Sequence, residues 1–145
     1  MIFFAGAPSW LFKVPHGLRS LLNWIKDSYH DPEIIITENG FSEEGEHERT
    51  GAEALRDTVR EDYIRDYTRE VLKACTLDGV KVKGYFAWSL MDNFEWSDGY
   101  KFRFGLHRVD FDDPRRTRVR KNSANFYKSL IANNGYPASR IPQSQ

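Results

Sequence analysis

The sequence predicts an α/β fold, and three observations carry that prediction. Ile34–Thr37 and Val80–Leu90 are short stretches rich in β-branched and aromatic residues. One long stretch of helical periodicity separates them, and further helical stretches stand before the first and after the second. Two buried strands joined by a long amphipathic helix form a βαβ unit with parallel strands.

Taken in order, residues 1–15 are aromatic and proline-containing and are expected to be loop. From Pro15, the residues Leu18, Leu21, Leu22, Ile25 and Tyr29 recur at helical spacing. "DPE" at 31–33 ends that helix, because a proline disfavours helix at the residue before it. Ile34–Thr37 follows as a strand expected to be buried on both faces. Residues 42–53 are polar and mostly acidic, the pattern of a solvated loop. Leu55, Val59, Tyr63, Ile64, Tyr67, Val71, Leu72 and Cys75 then mark the apolar stripe of a long helix. It closes at "LDG" (77–79), where Gly79 suits a C-terminal cap. Val80–Leu90 reads as the second buried strand and residues 91–105 as a loop. "LHRVDF" (106–111) alternates like a short strand, and "DDPRR" turns the chain. Asn122–Asn134 forms the last helix, with Asn122 or Ser123 as its N-cap and Gly135 past its end. Residues 1–137 then make one unit and 138–145 a disordered tail.

Composition narrows the chemistry. Lys+Arg and Asp+Glu are both 21 in 145 residues, so the net charge of zero excludes a dedicated nucleic-acid or anionic-membrane binder. Cys75 is the single cysteine, which excludes an internal disulfide and a cysteine zinc cluster. It falls on a helical apolar face as a small filler. His16, His30, His47 and His107 show no ligand spacing, so neither a metal nor another cofactor is expected. No apolar run approaches the ~20 residues of a membrane span. The opening "MIFFAGAPSW" has no basic leader and is not read as a signal peptide, which leaves the compartment open. The four tryptophans and an aromatic share of 14% fit a generous core and a sugar-stacking surface equally well.

Parallel strands bring their C-terminal ends to one edge of the sheet. Glu38 ends the first strand, and the segment Asp92–Trp96 follows the second. That edge is where α/β folds bind ligands. Two carboxylates, Glu38 and Glu95, and two tryptophans, Trp88 and Trp96, meet there. They suit a sugar, since indole faces pack on pyranose C–H groups and carboxylates accept hydrogen bonds from hydroxyls. A carboxylate below an anomeric carbon can also attack it. The bland alternative is a salt-bridge network. Asp92 and Asn93 are read as structuring the loop rather than touching ligand.

"ITENG" (36–40), "FAWSLMDNFEW" (86–96) and "RFGLHRVDF" (103–111) together resemble glycoside hydrolase family 1, the β-glucosidase and lactase-like family. "WLFKVPHGLRSLLNWIKDSYHDP" (10–32) resembles the segment before the nucleophile strand, and the likeness covers about residues 9–137. The resemblance implies a retaining β-glycosidase on a (β/α)8 TIM barrel. It implies Glu38 as nucleophile, Trp88 as the platform beside the sugar, Glu95 and Trp96 as sugar contacts, and Phe104 nearby. It also implies that Glu95 is not the general acid. The family's acid/base glutamate belongs to an "NEP" motif on an earlier strand, and no "NEP" occurs in this chain. A (β/α)8 barrel takes about 250 residues. The chain is therefore expected to be the C-terminal part of an incomplete barrel, about its last two βα units, strands seven and eight. Its opening fits a truncation boundary or an alternative start. The expected substrate is a β-glycoside, hydrolysed once a missing N-terminal segment or a second chain completes the barrel. The rival reading is an inactive fragment or klotho-like pseudo-enzyme acting as a binding module.

Overall fold

The computed structural model describes residues 4–136, so the expected tail at 138–145 lies outside the described residues. The fold is α/β. A short antiparallel pair, β1 (Phe4–Ala5) and β2 (Phe12–Lys13), leads into α1 (Pro15–Ser28). Then come β3 (Ile34–Gly40), α2 (Thr58–Thr76) and β4 (Val82–Trp88), with β3 and β4 parallel and hydrogen-bonded. A hairpin of β5 (His107–Val109) and β6 (Arg118–Arg120) precedes α3 (Asn122–Ala132).

α1 starts with Pro15 in its first turn, where a missing N–H is harmless. Leu22 is its one buried side chain, and it packs with Ala74, Val80, Ile34 and Ile36. α2 covers the same face of the sheet and adds a second cluster of Phe41, Tyr63, Ile64, Tyr67, Leu106 and Ala124. Gly79, at φ 69°, sits in the left-handed region just past α2 and lets the chain turn straight into β4.

The structure corrects five expectations. Residues 1–15 are not all loop. Gly6 N–H donates to the Leu11 carbonyl across a turn containing a cis Ala7–Pro8 bond, and β1 pairs with β2. Two-residue strands are too short to show a period. The strands are covered on one face only, with Ile35 58% and Phe86 59% exposed. The helices pack on the other face, and β3 and β4 are the only strands of their sheet among the described residues. Val80 and Leu90 lie outside β4. The acidic stretch 42–53 is not simply solvated, because Ser42, Glu46 and Ala54 are buried and two 3-10 turns form within 46–55. The N-cap of α3 is Lys121, with no side-chain cap bond of its own. Asp57 supplies the cap from across the molecule, accepting Ser123 N–H at 2.9 Å.

Candidate active site

Glu38 reaches its place through a β-bulge. Ile36 packs on the helix-covered face, and Asn39 is held on that same face by Tyr63 and Tyr85. They stand three residues apart, so strict alternation would bury Glu38 between them. The register slips by one residue between Ile36 and Asn39, and that extra residue re-aims the chain. Thr37 and Glu38 are left exposed. Among the described residues, no hydrogen bond or ion pair reaches the Glu38 carboxylate. A carboxylate at a strand end with no partner is one available for use.

Asn39 and Gly40 make the bulge possible. The Asn39 amide donates to Tyr63 Oη at 3.2 Å, and Tyr85 Oη donates to Asn39 Oδ1 at 2.7 Å. Below them Phe41, Tyr63 and Tyr67 stack in series, with ring centroids 4.9 and 4.1 Å apart. Burial drives the Tyr63 and Tyr85 hydroxyls far above the usual phenol range, so both stay neutral. At Gly40 a side chain has no room, because a Cβ would collide with the Trp88 carbonyl.

The opposite wall comes from the segment after β4. The peptide Trp88–Ser89 is cis, and Trp88 packs on Ala7, Phe102 and Phe104. Its indole Nε1–H points to Glu95 Oε1 at 3.4 Å. Glu95 N–H donates to the Gly99 carbonyl at 2.7 Å and closes a tight loop. Trp96, at φ 46°, stands 85% exposed on that loop. Burial raises the Glu95 pKa; the Trp88 N–H opposes the rise, and the charges of Asp98 and Glu38 add to it. Asp92 does not line the cleft. It is buried, and it accepts Gly105 N–H at 2.9 Å, Val109 N–H at 3.3 Å and Lys121 Nζ at 2.9 Å. Asn93 bonds Ser89 Oγ and the Met91 carbonyl. Both therefore shape the loop.

The two walls enclose a cleft of about 380 Å³ lined by Glu38, Trp88, Glu95, Trp96 and Phe104, which are the five expected site residues. Pro8, Trp10, Ser97, Asp98 and Phe102 complete it. Sequence reading missed Trp10, which is 71% exposed at the rim. Its signal was a tryptophan in a proline-containing turn; the tie of Ala7 N–H to the Ser42 carbonyl and the packing of Ala7 against Trp88, Phe102 and Phe104 bring that turn to the cleft. No group of His, Cys, Asp or Glu among the described residues is arranged to hold a metal. Among the described residues, no helix is long and apolar enough to cross a membrane. Aromatic faces beside carboxylates, with no basic side chain in the lining, fit a neutral, hydroxyl-rich ligand.

The comparisons with known proteins agree on one family. The sequence model of Glycosyl hydrolase family 1 matches residues 5–136. Human lactase/phlorizin hydrolase is 48% identical over 88% of this chain and 6% of its own length. Human cytosolic beta-glucosidase is 48% identical over 89% of this chain and 26% of its own. Among solved structures, the beta-glucosidase from Trichoderma harzianum superposes with TM-score 0.86 at 46% identity, covering 90% of this chain and 27% of that one. A GH1 beta-glucosidase from Humicola insolens, solved with glucose, gives TM-score 0.86 at 41% identity over 90% and 27%. The chain thus spans about a quarter of the beta-glucosidases it matches. With nearly the whole chain matched, it belongs to glycosyl hydrolase family 1.

Proposed function

We propose that this chain is the part of a retaining β-glycosidase that carries the nucleophile. One observation supports this most: an unpaired carboxylate, Glu38, faces Trp88, Glu95 and Trp96 across a cleft at the C-terminal ends of two parallel strands. In this reading the chain forms about the last two βα units of a TIM barrel. A Glu38 oxygen attacks the anomeric carbon of a bound β-glycoside. The bond to the leaving group breaks and a glycosyl ester forms on Glu38. Water then releases the sugar with its β configuration retained. Trp88 and Trp96 pack on the sugar ring, Phe104 closes the wall, and Glu95 binds hydroxyls. The proton for the leaving group comes from a carboxyl outside these residues, since this chain has no "NEP" motif. By itself the chain lacks that acid and a closed pocket, so it should show no measurable turnover. General acid catalysis contributes about 10²–10⁴-fold.

The test is a completed barrel, made by joining the chain behind the first three quarters of human cytosolic beta-glucosidase. It should hydrolyse aryl β-glucosides, and the chain alone should not. A 2-deoxy-2-fluoro glycoside with a good leaving group should label the peptide containing Glu38. Label on the Glu95 peptide instead would overturn the assignment of roles.

A further inference from the structure

Arg60 lies inside α2 with its side chain fully buried, and it does not line the cleft. A guanidinium has five N–H donors, and all five are engaged. Nε donates to the Phe41 carbonyl at 2.9 Å. Nη1 donates to Glu46 Oε1 at 3.0 Å and to Asp57 Oδ2 at 2.7 Å. Nη2 donates to Glu46 Oε2 and to the Arg103 carbonyl.

The two carbonyls belong to the two walls of the cleft. Phe41 stands three residues after Glu38. Arg103 stands between Phe102 and Phe104, which both line the cleft. No other side chain among the described residues donates to main-chain carbonyls of both segments. A lighter strap runs beside it, where Arg103 N–H donates to Ser42 Oγ at 3.1 Å. Glu46 carries the tie onward. It accepts Lys121 Nζ at 2.7 Å, Lys121 reaches Asp92 at 2.9 Å, and Asp92 holds Gly105 N–H.

Stability alone is a poor reason for this arrangement. Replacing a buried ion cluster with well-packed apolar residues is often neutral or stabilising. Apolar residues cannot hold two carbonyls at a set separation, whereas the planar fork of arginine does.

We propose that Arg60 is a positioning residue: its fork sets the distance between the nucleophile wall at Glu38 and the sugar-holding wall at Phe104 and Glu95. This rests on the glycosidase reading above.

The test uses Arg60→Lys and Ser42→Ala in the completed barrel, assayed well below each variant's melting midpoint. Lysine keeps the charge but is a point donor that cannot span both carbonyls. kcat/KM for an aryl β-glucoside should fall about ten- to a hundredfold in Arg60→Lys, the scale of a small misplacement at the reacting centre. Ser42→Ala should show a smaller fall of the same kind. In a Glu95→Gln background both losses should shrink severalfold, because the variants act on the same contact. A merely structural role predicts a lower midpoint, unchanged kcat/KM below it, and additive effects; that result overturns the proposal. If Arg60→Lys does not fold, Ser42→Ala with Glu95→Gln decides. If the unmutated barrel turns nothing over, the glycosidase reading fails and this inference falls with it. If it is active and neither variant changes kcat/KM, only this inference fails.

Discussion

Three carboxylates line the cleft, Glu38, Glu95 and Asp98, and the surroundings of the two glutamates differ. Glu38 is exposed with no partner, whereas Glu95 is half-buried beneath an indole N–H. In the completed barrel, Glu38→Ala should abolish turnover, and azide should restore part of it by filling the vacated space. Glu95→Ala should lose about 1.5–3 kcal/mol of transition-state binding, the scale of a hydrogen bond to a charged group, with no rescue by azide. Rescue of Glu95→Ala, or none of Glu38→Ala, would reverse the roles. The raised pKa of Glu95 gives a second check. Asp98 and Glu38 both push it up by their charge, so Asp98→Asn and Glu38→Gln should each bring it down. A carbon-13 titration of the Glu95 carboxyl reads the shift, and an unchanged value in both variants would contradict this account. Glu38 was legible in the sequence because a charge ending a β-branched run is costly unless paired or used. The bulge that exposes it was not, because it depends on where Asn39 finds Tyr63, a residue of α2.

The helices could be read from their period, and the two main strands from their β-branched and aromatic runs. The segment between β3 and α2 could not, and the reason is electrostatic. Glu46 looks like one acid in a solvated run, but its cationic partners, Arg60 and Lys121, stand 14 and 75 residues away. No local pattern announces such a pairing. Arg60 itself interrupts an apolar stripe and looks like a surface residue, although it is fully buried. The pairing has a pH signature. Burial pushes the Glu46 carboxyl up, but Arg60 and Lys121 outweigh it and leave the pKa below its ordinary value of 4.5. A carboxyl whose folded pKa is depressed stabilises the fold above its unfolded pKa. That stability is lost as pH falls through the folded value. Glu46→Gln should therefore be destabilising at neutral pH, by about 3–5 kcal/mol for a broken buried pair, and the gap to the unmutated chain should narrow in acid. A gap that stays constant from pH 7 to acid would show that the charge of Glu46 does not matter. Gly40 tests the walls in the same way. Gly40→Ala must displace the Trp88 carbonyl, and overpacking of this kind costs about 1–3 kcal/mol.

At the scale of the whole molecule, the sheet is open, with two strands among the described residues. β3 and β4 pair only with each other among the described residues, so each has an outer edge of unpaired backbone groups. Ile35 and Phe86 stand more than half exposed on the face the helices do not cover. Trp24 and Leu21 of α1 are 56% and 50% exposed as well. A chain that spans about a quarter of its beta-glucosidase relatives leaves its surfaces in this state when it stands alone. Cooperativity depends on the surface that unfolding exposes, since the denaturant slope scales with that area. The isolated chain buries the clusters around Leu22 and Tyr63 under its helices but leaves the other face of the sheet in water. Its urea transition, followed by tryptophan fluorescence, should be shallow, and the chain should self-associate through its strand edges as concentration rises. Completing the barrel should cover Ile35 and Phe86, pair both edges, steepen the transition and suppress association. The decisive comparison is therefore the same chain, alone and completed. A steep two-state transition from a monomeric isolated chain would show that the helices and the buried ion cluster suffice as a folding unit, and that the open sheet is no defect.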